Sequence, residues 1–511
     1  MQVAVDTGST VSTIRWNAAH SVEAAARVED IYQDVFRRET KPAELANAQD
    51  AMGGGMSLQD VRNGAAHSTE FNTSLTVNYA RVLGRDIDGG GRSFWQDAVA
   101  GGWAARGVLW SLSHSPEAAL RVGDIVLQTL EQTADAATLT KYKDAMGSTW
   151  SLGDVRWDVS HSQGASDALG RTYSNLLGRD ADSGGLASWE DRMGGGWALR
   201  DARWAIAHSP EAGDAVGGIF QSVLGRPLAS GSGTGYQDAM GGTWTLKDVR
   251  YDVAHSLEAG VRLADTYMQT VGRPIEGWAV PVQENSLSVG TSLAAIRSSL
   301  AFSLEAAASL SNTYFQTVGR DIEDWAIPVQ ETAINAGWSL AAIRSSLAHS
   351  VEGANRIIDV YATTLGRAPG ADELAWRKDW TAGIGSLDSM RFEFARSAEA
   401  HNLIGNLYST IVGRTADEGS IYSIEQSLKY GGTLSNEMRA LTLGSEAIIN
   451  EQHQANDYIT LMADKSRTPT DNDDLGSSVV PGVPLSALNL TPSALSAIMD
   501  SARTATVSPR V

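Results

Sequence analysis

Residues 57–103 read SLQDVRNGAAHSTEFNTSLTVNYARVLGRDIDGGGRSFWQDAVAGGW, and the same register returns every 47 residues along the chain. Nine copies follow one another without an insertion, at 10–56, 57–103, 104–150, 151–197, 198–244, 245–291, 292–338, 339–385 and 386–432. Seven of the nine histidines fall on one position: His20, His67, His114, His161, His208, His255 and His349. Phe302 and Arg396 replace it in the other two copies, while the next residue is Ser in all nine (Ser21, Ser68, Ser115, Ser162, Ser209, Ser256, Ser303, Ser350, Ser397). A position duplicated this often belongs to architecture rather than to a site used once.

Each copy reads as three helices. The first opens at a capping hydroxyl, Ser57, Ser151, Thr245, Ser292, Ser339 or Ser386, and keeps Leu58, Val61 and Ala65 on one face. The second takes the repeated Ser as N-cap, and an acidic residue two positions on (Glu23, Glu70, Glu117, Glu211, Glu258, Glu305, Glu352, Glu399) suits the positive end of its dipole. It carries an aromatic residue such as Tyr79 or Tyr173 and ends in Gly-Arg, the glycine standing where a left-handed residue closes a helix. A third short helix bears Trp95, Tyr142, Trp189 or Tyr236 and closes on a glycine turn with Trp103, Trp150, Trp197, Trp244 or Trp338. Three short amphipathic helices make no core alone, so neighbouring copies must stack. The expectation is an all-α fold in which tandem 47-residue three-helix repeats form a solenoid or a bead-like array. Residues 1–9 are an N-terminal lead, 10–432 the nine repeats, 433–464 a degenerate terminal repeat, and 465–511 a polar linker with a C-terminal docking or capping arm.

A chain of 511 residues exceeds what one hydrophobic core normally supports, and the fixed period favours an array over separate domains. A net charge of -20 argues against nucleic acid, whose phosphates call for clustered Lys and Arg. Absence of cysteine removes disulfides and thiolate metal sites. No stretch reads as a transmembrane helix, and MQVAVDTGSTVSTIRW lacks the basic start and apolar run of a cleavable signal, so export would take a signal-peptide-independent route.

The order SxE, aromatic, LGRxxDxxG, Trp and glycine turn, fullest in HSTEF with YARVLGRDIDGGGRSFW and in YSNLLGRDADSGGLASW, resembles a bacterial domain of unknown function, number four-two-one-four. That pattern is itself similar to phycobilisome linker domains, and the resemblance covers residues 10 to about 450. It implies a helical domain recurring in tandem in secreted and surface-layer proteins, often beside calcium-binding glycine-rich repeats. This chain has no such glycine-rich nonapeptides, and the resemblance supplies no catalytic residues.

The repeated His stands at a helix C-terminus, where its ring bonds the last carbonyls. The repeated Arg15, Arg62, Arg156, Arg203, Arg250, Arg297, Arg344 and Arg391 are expected to pair with acidic side chains between units. One ion site suggests itself in GRDxDxGG: Asp86, Asp88 and Asp97 fall at positions one, three and twelve of an EF-hand-like loop, and Asp180, Asp182 and Asp191 repeat this, which makes calcium the one candidate cofactor. The simpler account makes Asp88 and Asp182 helix N-caps. No hydrolase elbow, zinc-protease motif or phosphate loop is present, so the expected role is non-enzymatic. It is that of a cell-surface, surface-layer or extracellular assembly subunit, whose partners would be itself, other subunits or cell-surface polysaccharide. An intracellular linker resembling phycobilisome linkers and a virion structural protein are the alternatives.

Overall fold

The computed structural model describes residues 10–465; the N-terminal lead at 1–9 and the linker and arm beyond 465 lie outside the described residues. Among those residues the fold is all-α, without a strand. Among the described residues no single helix is long and apolar enough to cross a membrane.

Helices of nine residues begin at Val11, Leu58, Ala105, Leu152, Leu199, Leu246, Leu293 and Leu387, in the sequence register. Their N-caps explain where they start. The Ser57, Ser151 and Thr245 hydroxyls accept from the backbone N–H three residues on, and Asp60, Asp154 and Asp248 reach back to the cap N–H, closing capping boxes. A His-Ser pair then turns the chain. Ser68 caps Thr69–Leu83 by accepting from Phe71 N at 3.2 Å, and Ser115, Ser209 and Ser303 do the same for their own 15-residue helices. Where this turn joins Leu293–Ala301 to Leu304–Val318, the two axes bend by 60°.

The 15-residue helices end on a left-handed residue. Gly84, Gly178, Gly272, Gly319 and Gly366 have φ between 66° and 77°. A Cβ on any of them would come within 3.0–3.5 Å of a leucine 68 residues later: Leu152, Leu246, Leu340, Leu387 or Leu434. Glycine is therefore required both by conformation and by the leucine packed across it.

The described residues divide into two compact units, one drawn from Met1–Ala259 with Glu284–Ser292, the other from Gly260–Gln283 with Leu293–Val511. In the first, Val22–Phe36, Thr69–Leu83, Pro116–Leu130, Gln163–Leu177 and Pro210–Leu224 each pack on the next nine-residue helix along the chain. One buried cluster there runs from Ile31 through Phe71, Leu75, Val99, Leu109 and Met146 to Val159, so its core crosses several sequence copies. In the second, Leu304–Val318 packs on Leu340–His349, and Val351–Leu365 on Leu387–Ala395, over clusters around Leu310, Ile357 and Ile404. Burying one such leucine contributes about 1.5–3 kcal/mol.

Candidate functional site

Two polar arrangements recur, one at the ends of most 15-residue helices and one at the ends of most nine-residue helices. The first is an arginine–glutamate joint. Arg85 follows the left-handed Gly84; its Nε and Nη2 donate to Glu117 Oε1 and Oε2 at 2.6 and 2.9 Å, and its Nη1 donates to Asp86 O at 3.1 Å. The guanidinium also lies 5.2 Å from the centroid of Tyr79, the aromatic residue six positions earlier. Glu117 stands in the first turn of the next 15-residue helix, where the helix dipole also favours its charge.

The same fork joins Arg38 to Glu70, Arg179 to Glu211 and Arg226 to Glu258 in the first unit. In the second it joins Arg273 to Glu305, Arg320 to Glu352 and Arg367 to Glu399, while Arg414 places both nitrogens on the single oxygen Oε2 of Glu446. Each pair is 32 residues apart, and planar two-point contact is the strong form of this bond. The arginine hydrogen bonds are the main cause that lowers the Glu70, Glu117, Glu211, Glu305 and Glu352 carboxyls. Glu44 and Glu373, second carboxylates on Arg38 and Arg367, are lowered to about 2. Composition gives no sign of this joint. The signal was the fixed 32-residue offset between the Arg of Gly-Arg and the Glu of Ser-x-Glu, together with their joint loss at Gln132 and Gly164.

The second arrangement is a histidine–aspartate clasp. His114 Nδ1 lies 2.9 Å from Trp110 O and its Nε2 2.9 Å from Asp144 Oδ1. His20–Asp50, His161–Asp191, His208–Asp238 and His349–Asp379 repeat it at 2.8–3.1 Å, and His67–Asp97 is looser at 3.8 Å. The helix-end role expected for the ring holds, but Nε2 also ties the short helix to the third helix of its own copy. Both ring nitrogens thus face oxygen atoms. For His161 and His208 partial burial opposes protonation; the carbonyl of Trp157 or Trp204 and the carboxylate of Asp191 or Asp238 outweigh it and raise the pKa. Trp16, Trp110, Trp157 and Trp204 lie against four of these rings and Tyr251 against His255, at centroid distances of 3.8–4.2 Å.

Four of the six aspartates of the calcium expectation have side-chain partners of their own. Helix begins at Gly89 and at Ser183, so positions five to twelve of the supposed loop are already helical. Asp88 accepts from Gly91 N at 2.7 Å and Asp182 from Gly185 N at 2.8 Å, as N-caps. Asp97 and Asp191 sit on those helices facing His67 and His161. Asp86 and Asp180 lend their carbonyls to Arg85 and Arg179. Among the described residues no group of three or more His, Cys, Asp or Glu could hold a metal ion.

The arginines of the nine-residue helices need a correction. Arg62 meets Asp34 at 3.0 Å and Arg203 meets Glu131 at 3.5 Å, but Arg156, Arg297 and Arg344 take Gln128, Gln269 and Gln316, and Arg250 takes Ser222. Their more regular acceptors are carbonyls closing the third helix of their own copy, such as Val99 and Trp103 for Arg62. A donor-rich guanidinium suits those unpaired carbonyls, and the second partner needs only a polar oxygen.

No family model, no curated protein and no solved structure matches the chain.

Proposed function

We propose that the chain is a non-enzymatic structural protein built of tandem 47-residue three-helix units stacked in an array, serving as a subunit of a cell-surface, surface-layer or other extracellular assembly. What carries this reading is the arginine–glutamate joint, formed eight times with the same 32-residue offset. Polar groups repeated in this way brace helix against helix, as the parts of a scaffold do. The resemblance to tandem helical domains of secreted and surface-layer proteins gives the extracellular placing. Self-association, other subunits and cell-surface polysaccharide are the partners of such a subunit. Immunogold labelling of intact producing cells tests this: label on the outer surface or in shed material is expected. Label confined to the cytoplasm would replace it with an intracellular linker, and label confined to virus particles with a virion protein.

A further inference from the structure

The repeat pattern breaks in a concerted way at one place in the first unit. The left-handed helix end that is glycine in seven copies is Arg37, with φ 61°, one of two non-glycine residues at positive φ among the described residues. Such a backbone costs of order 1 kcal/mol or more. The leucine that elsewhere packs across this glycine is Ala105. The arginine expected four residues later is Leu109, and its usual polar partner position holds Arg81. Of these residues Arg37 lines a cleft of about 670 Å³, together with Arg106, Trp110 and Asp144. That volume lies within the range of small-ligand sites.

The cleft has a built floor. Trp110 lies flat on the third helix of its copy, so close that a Cβ on Gly147 would stand 2.8 Å from the indole. His114 stacks on it at 3.8 Å, yet the residue remains 50% exposed. Arg37 and Arg106 are exposed, and their side chains make no ion pair or hydrogen bond among the described residues, whereas the arginines of the joint are all paired. Arg81 has Nε and Nη2 buried without a partner, and burial followed by the charge of Arg37 pushes its pKa down against the weaker pull of Asp154. A chain of net charge -20 is therefore locally positive here.

We propose that this cleft binds a carboxylate-bearing sugar of an acidic polysaccharide. The sugar ring lies against the part of the Trp110 indole that Gly147 and His114 leave exposed, its carboxylate between Arg37 and Arg106, and a hydroxyl donates to Asp144. Three features ask for this ligand together. An indole face packs on the C–H face of a pyranose, two free guanidiniums take one carboxylate, and Asp144 Oδ2, left over from the histidine contact, accepts a hydroxyl. Inorganic phosphate would use neither the indole nor Asp144. The Trp157 platform is an internal contrast, since Gly84 and Gly153 stand where Arg37 and Arg106 would be. The proposal rests on the surface-assembly reading for the biological source of the polymer.

Titration of the full chain with oligogalacturonate, followed by tryptophan fluorescence and calorimetry, tests it. Saturable binding that weakens with salt is expected, with dextran of equal length and inorganic phosphate failing to compete. R37G returns the site to the residue of the other copies, so its fold is safe; it should keep or raise the melting temperature and lose about tenfold or more in affinity. R106A and W110F should each weaken binding without loss of helix content. Absence of binding, equal binding of dextran, full competition by phosphate, or unchanged affinity in R37G would each overturn the site. None of these results bears on where the chain resides, which immunogold labelling decides separately.

Discussion

Two junctions of the first unit show what the polar joint does and what it leaves to packing. Where Thr69–Leu83 hands over to Pro116–Leu130, Gly84, Arg85 and Glu117 form the complete fork. Where Pro116–Leu130 hands over to Gln163–Leu177, the corresponding residues are Glu131, Gln132 and Gly164. Both charges have gone together, which avoids leaving one of them unpaired. Glu131 keeps the left-handed turn at φ 54°, and the helices still pack as before. The fork therefore braces a junction whose position is set by apolar contact, in keeping with the modest worth of partly exposed ion pairs.

The comparison breaks most readily through the core. Leu75 and Leu169 occupy equivalent positions on the two sides and are at most 1% exposed. Leu75→Ala and Leu169→Ala should each cost about 2–5 kcal/mol. Native-state hydrogen exchange should show local loss of protection centred on the altered copy and its neighbours, as expected of nearest-neighbour stability. A much larger cost at Leu169 alone would mean that the fork carries a real share of the intact junction.

Next in size is the turn. Glu131→Gly should stabilise its helix end by about 1 kcal/mol, because glycine adopts that backbone without strain and the ion pair that Glu131 makes with Arg203, at 3.5 Å, is weak. Urea unfolding or exchange of the Pro116–Leu130 amides reads this out. Destabilisation instead would give Glu131 a structural part that its exposed neighbours do not suggest.

Much of this was legible in the sequence because local chemistry set it. The Ser caps, the left-handed glycines and the end-of-helix histidines are decided within four residues, and each lies where the 47-residue register puts it. The fork, the clasp and the cleft were harder to see because they join residues 32, 30 and 73 apart, as in Arg85–Glu117, His114–Asp144 and Arg37–Trp110. The same reach hides where Asp97 goes: it keeps loop spacing from Asp86, but helix formation from Gly89 onward sends it toward His67.

A smaller effect sharpens the comparison from the other side. Gln132→Arg with Gly164→Glu rebuilds the missing fork, and Gly164 has room, since its Cβ would meet Leu130 no closer than 3.5 Å. A double-mutant cycle on melting temperature is needed, because Gly164→Glu alone gains from helix propensity and from the dipole. The coupling itself should be about 0.5 kcal/mol and shrink in high salt. Zero coupling at low salt would indicate that the fork follows helix packing without reinforcing it.

The smallest effect separates the two polar arrangements by pH. The His161 and His208 pKa values are raised above 6.5, so their contribution is fully present below that value and is lost as pH rises through the higher folded-state pKa. The joint works in the opposite direction. Glu70, Glu117, Glu211, Glu305 and Glu352 are lowered from 4.5, so their contribution is present above that value and is lost as pH falls through the folded-state pKa, with Glu44 and Glu373 last to go near 2. Melting temperature should therefore rise slightly on acidification from pH 8 to about 6, hold, and fall below about 4. His161→Phe together with His208→Phe, borrowing the residue found at Phe302, should flatten only the upper limb by a degree or so and leave the acid limb unchanged. If the double variant also shifts the acid limb, the clasp and the joint act as one network rather than two.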